Sequence, residues 1–443
     1  MSFGAALFEQ FISLVVKTTR PTGKDVSNIF TNLCTSKAGK GRRRFRLYAK
    51  RKGGSLSTSN ASSSKKKSSL ESQPKKDKDF DVLVPCAGLR NINNTCFMNA
   101  VLQAFTHILP LHRGLLLLDL KLHSSCPRAD ENKFCILCAL RNHLTEAGHP
   151  SRDTVNPSEL YNGLQSFMPE YTTGKHQDPH EFMIKALTAL KGCLLEYNNL
   201  IDLTFRGAVV KQLRCCSCKA SDEPVHLEVF DLTLNIDNAS DTQTALDIYF
   251  NISKIDGAAC SFCNKVGFCE EKRWLLEAPS VVVIHLNRLV FEFDPHSRKG
   301  HTRKENKNVG FKMDIDLEPY ALSPTEKEGY WKYDLYAIVE HVGASVNSGH
   351  YICYVRCVGD QWYSMSDTVV TKVSEEAVMS KEAYLLFYLR KGFRSHRALQ
   401  WMGGWILEVN LSLWILIRLK NHFGDDSASL SESEYERERF TKK

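Results

Sequence analysis

The chain lacks a recognisable export leader. Its opening, MSFGAALFEQFISLVV, has no basic segment before the apolar run and carries Glu9 inside it, which makes a poor signal peptide. A long apolar run is missing too. Residues 401–417 are apolar but interrupted by Glu408 and Asn410, and 17 residues are at the short limit for a span. A docked or interfacial helix is expected there, and membrane contact through the tail is not. No internal repeat is visible, which sets aside solenoids and propellers. Acidic residues are scarce before Glu71, so the net charge of +8 belongs to the first 80 residues and the remainder is mildly acidic. Direct nucleic-acid binding by the body is therefore not expected.

Residues 35–80 have no hydrophobic periodicity and carry the clusters Arg42-Arg43-Arg44 and Lys65-Lys66-Lys67. Such a stretch cannot bury enough apolar surface to offset its ordering entropy. Residues 1–80 read as a basic, largely disordered leader, with a nuclear-import or anionic-surface tag and an organelle transit peptide as alternatives. Residues 81–390 look globular, and 391–443 form a tail with a short apolar segment and a polar end. Helical patterns run from 95 to 199. β-rich runs follow at 205–213, 226–234, 280–289, 333–341, 350–357 and 383–390. Helices first and strands later predict an α+β fold, a helical lobe on an antiparallel sheet.

The chain holds fifteen cysteines. Several sit in C-x-x-C pairs, which points to reduced thiols and metal ligands in preference to disulfides. Cys215-x2-Cys218 and Cys260-x2-Cys263 are two knuckles 41 residues apart, the donor set of tetrahedral zinc, on two β-hairpins tied at their tips. His123, Cys126, Cys135 and Cys138 offer a second possible zinc set in the helical half. Cys96 differs. It ends a polar Asn/Thr turn, and Phe97, Val101, Phe105 and Ile108 follow at near-helical spacing, so a helix should begin beside it. A helix N-terminus favours thiolate over thiol. His350 starts a strand after a Gly-containing loop, where a sheet can hold an imidazole against a helix-borne thiol, and Gly349 presents no side chain to an approaching chain.

Residues 88–103, GLRNINNTCFMNAVLQ, together with 176–182, HQDPHEF, and the segment from Tyr333 through Gly349-His350-Tyr351 to Trp362-Tyr363 and Tyr384–Tyr388, resemble the ubiquitin-specific proteases, cysteine deubiquitinases, most nearly their plant-type short-core members. The resemblance implies a papain-like thumb and palm with zinc-bearing fingers at about 204–285. It further implies a ubiquitinyl hydrolase in which Cys96 attacks, His350 acts as base and Asn91 supplies an oxyanion donor. Asp178, Glu181, Gly349 and Tyr351 would bind the ubiquitin tail. Partners would be ubiquitin and ubiquitinated proteins, the cofactor structural zinc, the core monomeric, and the compartment cytoplasm and/or nucleus.

Two positions depart from the family pattern. Asn93 stands where the family has Gly, at a turn expected to need positive φ, which Asn tolerates. In Trp362-Tyr363-Ser364-Met365-Ser366-Asp367 the orienting position falls on Ser366. Ser366 is expected to accept from His350 Nδ1–H with Asp367 in support, or Asp367 orients the ring directly. Decayed catalysis, leaving a ubiquitin-binding scaffold, is the competing reading, and a zinc-dependent nucleic-acid binder is a more distant one.

Overall fold

A computed structural model describes residues 87–117, 133–149, 151–193, 200–294, 299–323, 329–345, 348–357 and 360–392. The basic leader, the apolar stretch at 401–417, His123 and Cys126 lie outside these residues.

The chain enters through a two-residue strand β1 (Gly88–Leu89) and turns into α1 (Cys96–Thr106). Every residue of α1 is buried. A helix apolar on all sides belongs inside, and its few polar groups must then find partners. Gln103 Nε2 donates to the Ala87 carbonyl at 2.9 Å, and Thr106 Oγ1 to the Leu102 carbonyl at 2.7 Å. Around α1 pack α2 (Leu109–Leu117), α3 (Ile136–Ala147), α4 (Ser158–Phe167), α5 (Pro179–Cys193) and α6 (Leu200–Phe205). A second short strand, β2 (Thr154–Val155), pairs parallel with β1. This is the helical lobe the sequence predicts, the thumb.

Four strands follow in the next stretch: β3 (Gly207–Cys215), β4 (Val225–Val229), β6 (Ser253–Ala259) and β7 (Val266–Glu277) form one sheet in the order β4-β3-β7-β6. Two antiparallel hairpins are thus joined along β3 and β7. Between them, β5 (Leu232–Asn235) leaves this sheet for the palm, and α7 (Thr242–Phe250) begins at Asp241, whose side chain caps Thr244 N–H at 2.8 Å.

The palm is eight-stranded. Its order is β15-β14-β13-β12-β16-β8-β5, from β8 (Val281–Asn287), β12 (Lys332–Ser345), β13 (Ser348–Arg356), β14 (Trp362–Ser366), β15 (Val369–Val373) and β16 (Ala383–Arg390), with β11 (Asp314–Asp316) on β12. A separate ribbon, β9 (Leu289–Asp294) with β10 (Lys299–Lys304), follows β8. The palm is apolar on both faces. In β8, Val281 and Val283 join the thumb core while Val282, Ile284 and Leu286 join the core on the opposite side. β12 alternates likewise except at Tyr336 and Ala337, which both face the thumb. A register shift against β16 between Leu335 and Ala337 lies at that break. The expected α+β papain-like architecture is the one observed.

Candidate active site

α1 begins at Cys96, as its periodicity predicts. The turn before it needs two consecutive left-handed residues, Asn93 at φ 53° and Asn94 at φ 63°. Both side chains are used. Asn93 Nδ2 donates to Tyr161 Oη at 3.0 Å and Asn94 Nδ2 to the Gly174 carbonyl at 2.8 Å. The departure at Asn93 therefore keeps the backbone conformation and adds a tie to α4.

The thiol behaves differently from the expectation for a helix start. Burial pushes Cys96 above the ordinary thiol range, and the carboxylate of Asp367 pushes the same way. Backbone N–H groups of Tyr351, Phe97 and Cys96 itself pull it down, but by less. Desolvation outweighs the dipole because Cys96 is only 1% exposed. The Tyr351 N–H also fixes the thiol's place, against β13 one residue beyond His350.

His350 Nε2 lies 2.9 Å from Ser366 Oγ and 3.9 Å from the nearer oxygen of Asp367. Ser366 is thus the partner of the imidazole. The nitrogen is Nε2, where Nδ1 was expected, so Nδ1 is the ring atom left to exchange a proton.

Asp367 has another task. It sits at φ 50° in the tight turn between β14 and β15. Its Oδ2 accepts from Asn91 Nδ2 at 2.8 Å and its Oδ1 from Asn99 Nδ2 at 2.8 Å. The Asp367 carbonyl accepts from Leu89 N–H at 2.7 Å. Asn91 is held at its other end by Thr95 N–H, which donates to Oδ1 at 3.0 Å. One N–H of the Asn91 amide remains free of these contacts. Asn99 escaped the sequence reading; the signal was an amide, one of two with Gln103, within an apolar helix.

Asp178, Glu181, Tyr351 and Tyr384 line a cavity of about 160 Å³, together with Lys304 and His341. Asp178 accepts from His180 N–H at 2.7 Å at the start of α5, and from Tyr384 Oη at 2.6 Å. Burial raises the Glu181 carboxyl above its usual range, with Glu170 adding to the effect. Gly349 is needed for a reason unlike the expected one: a Cβ there would collide with the imidazole of His341 and the Val342 carbonyl.

The two knuckles are built alike. Cys215 N–H donates to Ala220 O at 2.8 Å and Cys260 N–H to Lys265 O at 3.0 Å. Lys219 N–H reaches back to Cys215 O, and Asn264 N–H to Cys260 O. Lys219 and Asn264 both adopt positive φ, 67° and 57°. The sulfurs pair at 3.8 Å (Cys215 to Cys263) and 3.7 Å (Cys218 to Cys260). Tetrahedral zinc with bonds of about 2.3 Å needs ligands about 3.8 Å apart, so this cluster fits a metal ion. The backbone N–H groups of Cys218 and Ser217 pull the Cys215 thiol down to about 6, towards the ligand form. Of the other proposed set, Cys135 is buried and Cys138 half-buried at the start of α3.

Residues 87–388 match the family described as ubiquitin carboxyl-terminal hydrolase. The chain belongs to this family. It is similar to ubiquitin carboxyl-terminal hydrolase 20 of Arabidopsis thaliana, 34% identical over 314 residues that cover 70% of this chain and 44% of the relative. It is 28% identical to ubiquitin carboxyl-terminal hydrolase 42 of Homo sapiens over 317 residues, 69% of this chain and 23% of that one. This chain thus spans less than half the length of these relatives. In fold it is similar to a chain in the structure of the SAGA Ubp8/Sgf11/Sus1/Sgf73 DUB module bound to ubiquitin aldehyde, with a TM-score of 0.60, 23% identity and 71% of each chain covered.

Proposed function

We propose that this hydrolase is a deubiquitinating thiol protease that cuts the isopeptide or peptide bond after the C-terminal glycine of ubiquitin. The reading is supported by the surroundings of Asp367, which bonds the Asn91 amide, stands 3.9 Å from the His350 ring that Ser366 holds, and acts electrostatically on the Cys96 thiol. His350 Nδ1 takes the Cys96 proton as sulfur attacks the carbonyl. A buried, neutral thiol requires that base, because little thiolate exists without it. The free Asn91 N–H and the Cys96 backbone N–H receive the oxyanion, and one such donor is typically worth about 10²–10³ in rate. His350 then protonates the leaving amine, and water hydrolyses the acyl-enzyme.

Ser366 orients the imidazole without adding charge. Asp367 acts as a positioning residue for Asn91. The cavity walled by Asp178, Glu181 and Tyr351 suits the basic end of the ubiquitin tail, and Gly349 packs against His341, another of its lining residues. Zinc on Cys215, Cys218, Cys260 and Cys263 would tie the two hairpins that grip the body of ubiquitin. Among the described residues Cys96, Cys215, Cys218, Cys260 and Cys263 form no disulfide, and no helix is long and apolar enough to cross a membrane. Reduced thiols favour the cytoplasm or nucleus; recovery of the tagged chain from a secreted fraction would overturn that.

Reaction with ubiquitin bearing a C-terminal electrophile tests the activity. An adduct on the intact chain and none on Cys96→Ala is expected. No adduct on either would instead support a ubiquitin-binding scaffold.

A further inference from the structure

The long palm strand β12 outruns one of its neighbours. Its pairing with β16 ends where Glu340 faces Ala383, yet β12 continues to Ser345 and stays paired with β13 on its other edge. The residues beyond Glu340 matter because His341 lies opposite Tyr351 and Val342 opposite His350. They are also irregular. The register against β13 shifts between Val342 and Ser345, and Gly343 has φ 148°, where a Cβ would strike Gly349 Cα and the Ser348 carbonyl. A bent strand without a partner on one edge leaves carbonyls that need other donors.

One side chain supplies them. Lys304, the last residue of β10, is buried, and its Nζ donates to the His341 carbonyl at 2.9 Å and the Gly343 carbonyl at 2.6 Å. The Val342 carbonyl between them lies on the Gly349 side, so the ammonium occupies the edge that β16 has left. Arg288 fixes this arrangement. Its Nε donates to the Ala383 carbonyl at 2.9 Å, at the start of β16, and its Nη1 to the carbonyls of Glu305 and Lys307, just past Lys304. Burial pushes the Lys304 ammonium below the ordinary lysine range, while the carboxylates of Glu382 and Glu340 pull it back up. Removing an ammonium from water is unfavourable, and its hydrogen bonds to the two carbonyls offset that.

We propose that Lys304 is a positioning residue for the hydrolysis: its ammonium replaces β16 along the end of β12 and holds the strand pair that carries His350 and Tyr351. The inference rests on the reading of His350 as the base. The end of β12 sets where β13 begins. From that start His350 turns its ring to Ser366, and the next residue, Tyr351, brings its N–H to the Cys96 thiol. Without the two donors the edge carbonyls turn to water, the bend at Gly343 loosens, and base and thiol lose a common support. A displacement of about 1 Å at a reacting group can cost about 10²-fold in rate. Lys304 also lines the cavity assigned to the ubiquitin tail, so holding the base has to be separated from touching the substrate.

Two readouts on the intact chain, Lys304→Met, Lys304→Arg and His350→Ala make that separation. The first is the pH profile of Cys96 alkylation by iodoacetamide, followed on the Cys96 peptide by mass spectrometry, which needs no ubiquitin. Lys304→Met should move the profile most of the way to that of His350→Ala. Lys304→Arg keeps the charge and the donors and should stay near the intact chain. The second readout is hydrolysis of ubiquitin carrying a fluorogenic C-terminal amide. In Lys304→Met, kcat should fall about tenfold or more with KM within about twofold of the intact chain. An unmoved alkylation profile in Lys304→Met would overturn the proposal, as would equal losses in the Met and Arg variants. A raised KM with kcat kept would make Lys304 a tail contact and overturn it as well. An unmoved profile in His350→Ala would remove the base assignment and the proposal with it. Profiles as expected, without hydrolysis by the intact chain, would remove the hydrolase reading alone.

Discussion

Asp367 Oδ2 and Asn91 Nδ2 are 2.8 Å apart, while the same carboxylate stands 3.9 Å from the imidazole of His350. The charged group of the turn bonds the amide, and its neutral neighbour Ser366 bonds the imidazole.

Removing the two groups should therefore affect different steps. Ser366→Ala loosens the ring and is expected to lower kcat by about tenfold. Asp367→Ala frees Asn91 and should cost about 10²-fold or more, approaching the loss of an oxyanion donor. The discriminating measurement is affinity for ubiquitin aldehyde, whose adduct carries the tetrahedral oxygen. Asp367→Ala should weaken it markedly and Ser366→Ala only slightly; the reverse order would refute the division of roles.

Asn93 and Asn94 hold the turn ahead of Cys96 in the left-handed region. Asn93→Gly should leave stability within about 1 kcal/mol, since relief of strain offsets the lost Tyr161 bond. Asn93→Val should cost about 2 kcal/mol, because a β-branched residue fits positive φ poorly. Urea unfolding of both variants checks this, and equal midpoints would contradict it.

Burial holds His107 and His143 in the thumb down to about 4, from an ordinary value near 6.5. Above pH 6.5 neither folded nor unfolded chain protonates them, so they contribute no pH dependence. Between 6.5 and 4 the unfolded chain takes up protons that the folded chain refuses, so stability falls as pH falls through that window. The loss is on the order of 3 kcal/mol per histidine once pH 4 is reached. His143, with neither ring nitrogen hydrogen-bonded, is the better target. His143→Leu should shrink the difference between urea midpoints at pH 7 and pH 5; an unchanged difference would count against this origin.

Cys218→Ser should reduce bound zinc and raise KM for ubiquitin substrates by about tenfold, with kcat nearly unchanged, because the cluster lies away from the thiol. Metal analysis and steady-state kinetics on one preparation read both. Full metal content in this variant would reject the four-cysteine site.

Where the sequence was legible, local patterns carried the signal. The apolar spacing after Cys96 put the start of a helix close to that residue, and β-rich runs located β8, β12, β13 and β16 within a few positions. The knuckles were visible because C-x-x-C is a local code. β9 and β10 were missed: LVFEFD and KGHTRK hold each other as a ribbon, with too few apolar residues in β10 to announce a strand. The elevated thiol of Cys96 was illegible because desolvation depends on everything packed around it. Ser366 could be picked out only through its neighbours' resemblance to a family motif. The choice of Nε2 at His350 depends on strand pairing that no short window contains.

Asn91 and Asp367 are separated by 276 positions, and Asn99 and Asp367 by 268. Contacts this distant in sequence are slow to form and cannot precede the synthesis of both partners. On the ribosome, then, the thumb emerges with its nucleophile long before the turn that holds the amide beside it. A nascent or truncated chain carries Cys96 without a positioned Asn91 amide, so under the proposed mechanism completion of the palm is itself the arming step.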